Sequence, residues 1–127
     1  MRLMVCRLAV ALSLIAGPAF AQRAEVIDGD TIRVAGAVVR LMGLDAPETR
    51  AQCPAEARLA ARATARLRQL VEPRIWLEPQ GRDRYRRTLA VVRDRAGRDL
   101  AQVMIREGLA RPYNGRGQRE GWCGYAR

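Results

Sequence analysis

The sequence predicts a small α+β domain, mainly β: a five-stranded OB-fold barrel capped by two helices. Three observations lead there. Five short segments carry the alternation and β-branched content of strands. One long helical pattern lies between the third and fourth of them, and a shorter one follows the fifth. No internal repeat, and no linker long enough to separate a pair of domains, interrupts residues 22–127.

Residues 1–21, MRLMVCRLAVALSLIAGPAFA, are set apart from that domain. Arg2 and Arg7 precede an apolar run, and Ala19-Phe20-Ala21 is a small-x-small cleavage pattern. The segment reads as a secretory signal peptide, its uninterrupted apolar stretch falling short of the ~20 residues a bilayer span needs. Export to the periplasm or the medium is therefore expected.

The strand segments 24–27, 31–34 and 37–42 come first, the last two close enough across Gly36 to pair as a hairpin. GLDAPETRAQ, residues 43–52, has no apolar period and reads as a loop. A helix then starts at Cys53-Pro54, with proline where a missing N–H is tolerated. Ala60, Ala63, Leu67, Leu70 and Val71 follow at helical spacing, and Pro73 ends it. Residues 74–78 form a fourth strand, with Ile75 and Leu77 on one face. PQGRDRYRR is a polar turn, and 88–93 is the fifth strand. A turn at Ala96-Gly97 leads into a helix over 99–107, which Gly108 stops. From Arg111 the chain is rich in Gly and Arg and reaches Trp122-Cys123.

Of the 3 cysteines, Cys6 leaves with the signal peptide. Cys53 and Cys123 remain as a pair in an oxidising compartment, where a disulfide is expected; two separate buried thiols are the alternative. All 23 basic side chains are arginines against 13 acidic ones, a net charge of +10. That excess favours polyanions, either nucleic acid or anionic membrane surface. Some of it has a plainer reading, because Arg58, Arg62 and Arg66 can be a solvated helix face.

Histidine and lysine are absent, which removes whole classes of chemistry. There can be no Ser-His-Asp triad and no Schiff-base lysine. Zinc is not expected, because Cys53 and Cys123 are the only soft ligands left. Acid–base work falls to carboxylates, arginine, tyrosine or metal-bound water, and a metal would be a hard cation held by oxygen.

Four carboxylates fit that description. Asp28 and Asp30, in IDGDT, flank a glycine between the first two strands, and Asp45 and Glu48 lie in the loop after the third. An EF-hand counted from Asp28 fails, with Arg33 at the sixth position and Val39 at the twelfth. On IDGDT alone, ordinary turn residues remain the alternative to a cation site. The arginines shift the balance. Arg40 stands in an otherwise apolar strand and asks for an anionic partner. DRYRR supplies Arg84, Arg86 and Arg87 around Tyr85. Guanidinium forks bind phosphate bidentately, and a tyrosine face stacks on a base.

VIDGDTI, RLMGLDAPET and DRYRRTLA, followed by REGLA, resemble the thermonuclease family, typified by staphylococcal nuclease, in order over residues 24–113. The resemblance implies an OB-fold and Ca²⁺-dependent hydrolysis of DNA and RNA at the 5′ P–O bond, leaving 3′-phosphates. Asp30 and Asp45 then correspond to the carboxylate ligands of Ca²⁺, the backbone carbonyl of Ala46 to a third ligand, and Asp28 to a contact through water. Glu48 corresponds to the general base, Arg40 and Arg87 to phosphate clamps, and Arg84, Tyr85 and Tyr113 to the nucleotide pocket. Single-stranded DNA and RNA are the expected partners of a monomer, with no protein partner implied. Two departures carry consequences. Arg86 stands where the family has glycine, and a positive φ there would cost roughly 1 kcal/mol. Trp122 and a Cys53–Cys123 bond would cover barrel surface that a further helix covers in the family. The alternative function is a non-catalytic OB-fold module holding single strands; a third is an exported structural protein binding anionic envelope polymers.

Overall fold

β1 (Glu25–Asp28), β2 (Thr31–Val34) and β3 (Ala37–Leu41) form an antiparallel meander in the computed structural model, which describes residues 20–124. Alternation drives the hairpin. Ile32, Val34, Val39 and Leu41 point into the core, while Arg33 is exposed. Ala35 and Gly36 both have positive φ, 49° and 81°, the backbone of a two-residue hairpin turn.

The chain then forms β4 (Leu44–Asp45), α1 (Pro54–Leu70), β5 (Trp76–Arg82), β6 (Thr88–Arg93), α2 (Leu100–Arg106) and β7 (Arg111–Pro112). α1 begins at its proline and buries Ala60, Ala63, Leu67 and Leu70 on one stripe. α2 is capped by Asp99, whose carboxylate accepts from the Ala101 N–H at 2.9 Å. The main sheet runs β1-β2-β3-β6-β5, with β3 and β6 parallel and every other pair antiparallel. With a helix inserted after the third strand, this is the α+β arrangement of an OB-fold. Among the described residues no ladder joins the edge strands β1 and β5. Gln22 and Ile75, just ahead of them, nevertheless exchange two backbone hydrogen bonds of 2.7 and 2.8 Å across the gap. Ile32, Leu41, Leu44, Leu67, Ile75, Leu100 and Met104 fill the interior.

The observed elements depart from the expected ones in two places. The fourth strand begins at Trp76 and continues to Arg82, through residues that read as a polar turn. β5 is an edge strand with most of its length facing solvent and a register shift between Pro79 and Gly81, so it lacks a core-facing alternation. β4 and β7 were not expected at all; each has 2 residues and exists only through pairing with the other. The expected disulfide is present, joining Cys53 to Cys123 with the Cα atoms 5.9 Å apart, beside a buried Trp122. The signal-peptide reading falls on residues that, up to 19, lie outside those described. Among the described residues, no helix is long and apolar enough to cross a membrane.

Candidate active site

The turn between β1 and β2 explains its own sequence. A Cβ on Gly29 would lie 2.9 Å from the Cβ of Ala63 in α1 and 3.0 Å from that of Ala46. Glycine is there for close approach, and the turn is pressed down between helix and loop. Asp28 and Asp30 are thereby fixed on either side of it. The Asp30 N–H donates to Asp28 Oδ1 at 3.2 Å, and the Asp30 carbonyl accepts from the Leu41 N–H at 2.9 Å.

The Asp30 side chain is 8% exposed. It accepts from the Thr31 hydroxyl at 2.8 Å on Oδ1 and faces Arg40 Nη1 at 3.3 Å on Oδ2. Register supplies this partner, since Thr31 sits opposite Arg40 in the β2–β3 ladder. Burial pushes the Asp30 pKa up to about 6; Arg40 counters this only partially, and neighbouring Asp28 adds to it.

Asp45, in β4, is 2% exposed and surrounded by guanidinium. Its partner in the β4–β7 ladder is Arg111, which donates to Oδ2 from Nε at 3.2 Å and Nη2 at 3.0 Å. Arg119 Nη1 donates to Oδ1 at 3.0 Å and, from the same nitrogen, to Glu48 Oε1 at 3.1 Å. Glu48 itself is exposed, on a loop folded by Glu56. That carboxylate, buried in the first turn of α1, accepts the N–H of Gln52 at 2.8 Å and of Glu48 at 3.3 Å.

Arg87 leaves a five-residue loop that Asp83 organises. Asp83 Oδ1 accepts the N–H groups of Tyr85 and Arg87, both at 2.9 Å, and Oδ2 accepts Arg87 Nε at 2.6 Å. Burial pushes Asp83 up, but these donors together hold it below the usual carboxylate range. Arg86, in this loop, has φ 64°, so this position does take the left-handed backbone that would favour glycine. The loop has a twin: Asp94 holds Ala96, Gly97 and Arg98 by the same set of bonds, with Gly97 at φ 78°. The bond from Arg87 to Asp83 is thus a local loop feature, and it commits only Nε. Arg84 and Arg87 flank the exposed Tyr85 ring at 4.9 and 5.4 Å. Tyr113 donates its N–H to the Gly43 carbonyl at 3.0 Å and its hydroxyl to the Gly117 carbonyl at 2.9 Å.

Three adjoining cavities collect these side chains. Asp28, Asp30, Arg40, Glu48 and Arg87 line one of about 460 Å³. Arg40, Arg84, Tyr85, Arg87 and Tyr113 line the next, of about 510 Å³. Asp45, Glu48, Glu56 and Trp122 line a third, of about 350 Å³. Carboxylates and arginines from the distant segments 28–48 and 84–87 therefore share one surface. Residues 38–121 match the family described as staphylococcal nuclease homologue.

The chain belongs to the staphylococcal nuclease homologue family.

This is a nuclease-type family, and membership implies a nucleic-acid substrate. Comparison with individually curated proteins gave no match. The matched span takes in Arg40, Asp45, Glu48 and Arg87 and begins after Asp28 and Asp30, which share a cavity with Arg40, Glu48 and Arg87, while Asp45 lines the adjoining one with Glu48. Ala46, whose carbonyl was expected at the metal, is buried against Gly29.

A hard divalent cation fits the donor chemistry. The oxygens are carboxylate and carbonyl, and buried Asp30 keeps a charge that Arg40 meets only partially. Asp45 keeps one acceptor position on Oδ1, directly beside the Arg119 guanidinium. Among the described residues, the one trio of Cys, Asp or Glu ligand atoms within 4.8 Å of one another is Cys53, Glu56 and Cys123; its sulfurs are spent in the disulfide, so it is no metal centre.

Three residues of the site went unread in the sequence: Glu56, Arg111 and Arg119. Glu56 looked like an ordinary first-turn acid of α1. The two arginines were lost among many others, although a buried Asp45 calls for basic partners.

Proposed function

We propose that the protein is an exported, Ca²⁺-dependent nuclease that hydrolyses phosphodiester bonds of DNA and RNA with little sequence preference, cleaving at the 5′ P–O bond and leaving 3′-phosphates. The observation that carries this reading is the convergence of Glu48, Arg40 and Arg87 with Asp28 and Asp30 on one cavity. Glu48, exposed on its loop, would take a proton from the attacking water. Arg40 and Arg87 would hold the non-bridging phosphate oxygens and bind them more tightly as negative charge builds on a pentavalent phosphorus. The bond to the 5′ oxygen breaks as the bond from water forms, and the departing oxygen gains a proton from solvent to leave as a hydroxyl. Bound Ca²⁺, held by Asp30, Asp45 and the Ala46 carbonyl with Asp28 through water, would supply charge neutralisation at the phosphate. Tyr85 offers a face for a base, with Arg84 and Tyr113 beside it. None of these groups reads a base edge, and phosphate contacts carry no sequence information.

One observation favours the second reading, a non-catalytic module for single strands: Glu48 Oε1 is bonded to Arg119. Cleavage of single-stranded DNA and RNA by the oxidised protein, with Ca²⁺ and with a chelator, separates the two. The enzyme reading expects cleavage that needs Ca²⁺ and falls by ~10²–10⁴-fold in Glu48→Gln. Salt-sensitive binding without cleavage would leave the binding module. Export expects the protein recovered outside the cytoplasm to begin near Gln22, and an intact residue 1 there would count against it.

A further inference from the structure

Arg119 has no role in the chemistry proposed for the site, yet it bonds both carboxylates on its loop side. Its place is built. Immediately after it, Arg111 donates to the carbonyls of Glu120 and Gly121, Trp122 is buried beneath the Arg111 guanidinium at 4.2 Å, and Cys123 is bonded to Cys53 at the head of α1. The segment carrying Arg119 is thus strapped to the helix whose Glu56 folds the Glu48 loop.

Asp45 Oδ2 accepts two guanidinium bonds and Oδ1 one, so a cation on the remaining Oδ1 position meets the Arg119 charge beside it, and an arginine has to move aside. The two are not equivalent. Arg111 has a side chain 12% exposed, stacked on Trp122 and bonded to backbone carbonyls as well as to Asp45. Arg119 has a side chain 41% exposed and, among the described residues, bonds only the carboxylates a cation and a base would need. Burial works against its charge, and Asp45, Glu48 and Asp30 outweigh it.

We propose that Arg119 is a tethered counter-cation of the Asp45–Glu48 pair, a guanidinium that the disulfide-anchored strap holds in place and that a divalent cation must displace to bind. It rests on the Ca²⁺-dependent nuclease reading and deepens it, because the site's affinity for the cation is then set by this one side chain. Displacement also frees Glu48 in the same event, since a single nitrogen bridges both carboxylates.

The test is calorimetric titration of Ca²⁺ into the oxidised protein without nucleic acid, comparing the wild type with Arg119→Ala. Removing the competitor should tighten Ca²⁺ binding by about tenfold or more, equivalent to ~1.4 kcal/mol. Equal or weaker binding in Arg119→Ala overturns the proposal and leaves the nuclease reading standing. Absence of binding in both proteins removes the metal site and the proposal with it. Reduction of Cys53–Cys123, under conditions where the circular dichroism spectrum is retained, loosens the strap. It should move the wild type toward the variant's affinity and leave the variant unchanged; a shift of equal size in both overturns the tether.

Discussion

Replacing Asp30 by asparagine should stabilise the cation-free protein at neutral pH by about 3 kcal/mol. Burial raises this carboxyl from 3.8 to about 6, against a partial offset from Arg40. Roughly two pKa units at ~1.36 kcal/mol each give that figure. Asparagine imitates the protonated carboxyl in shape and can still accept from the Thr31 hydroxyl, which bonds Oδ1 at 2.8 Å. The pH window follows from the direction of the shift. Below 3.8 Asp30 is protonated whether folded or not, and the fold bears no penalty. As pH rises from there through about 6, the folded state holds its proton longer than the unfolded chain, and stability is lost. Above that window the full penalty remains.

The assay is urea unfolding of wild type and Asp30→Asn in a chelator, across this window. The difference between the two reports Asp30 and its interaction with Asp28, because the rest of the chain is the same in both. It should grow from near zero at the acid end to about 3 kcal/mol at neutral pH. A difference that does not change with pH, or a variant less stable than wild type at neutral pH, would refute the reasoning. In that event Asp30 is charge-satisfied by Arg40 in the folded state.

Gly29→Ala should cost ~1–3 kcal/mol, since its methyl would meet Ala63 at 2.9 Å and Ala46 at 3.0 Å, with Ala63→Gly restoring some of the loss in thermal unfolding. Arg86→Gly should gain up to about 1 kcal/mol by relieving the positive φ, while Gly97→Arg in the twin loop should lose a comparable amount in urea unfolding. Glu56→Gln should cost ~1–3 kcal/mol by leaving the N–H of Gln52 or Glu48 facing an amide donor. It should also slow cleavage while nucleic-acid binding, followed by fluorescence anisotropy, persists.

β2 and β6 were legible to the residue because their β-branched, alternating pattern faces a core, and local pattern is what a sequence displays. β5 was legible only in its first half, since an edge strand facing solvent has no such pattern to display. β4 and β7 were illegible because neither exists without the other, and their pairing of Leu44 with Pro112 is a fact about tertiary structure alone. The candidate site divides in the same way. Asp28, Asp30, Arg40, Asp45, Glu48 and Arg87 sit in short motifs that carry their own chemistry. Arg111 and Arg119 reach Asp45 across 66 and 74 residues, a distance over which no motif extends. One missed signal was local: DRYRR and DRAGR are copies of one loop, and the glycine of the second marks the position where Arg86 takes a left-handed backbone.

Two buried aspartates at one site have been given unequal partners, and the inequality has a physical reason. Asp45 has a guanidinium on each oxygen, both from the C-terminal segment. Asp30 has one ion pair among the described residues, with Arg40 at 3.3 Å, and stays under-neutralised. Arg40 lines the cavities that hold Tyr85 and Arg87, and in the proposed chemistry it must also grip a phosphate. A guanidinium closed bidentately on Asp30 would have fewer donors left for that work. Asp30 therefore retains a charge that the proposed cation would settle, while that of Asp45 is already met by side chains.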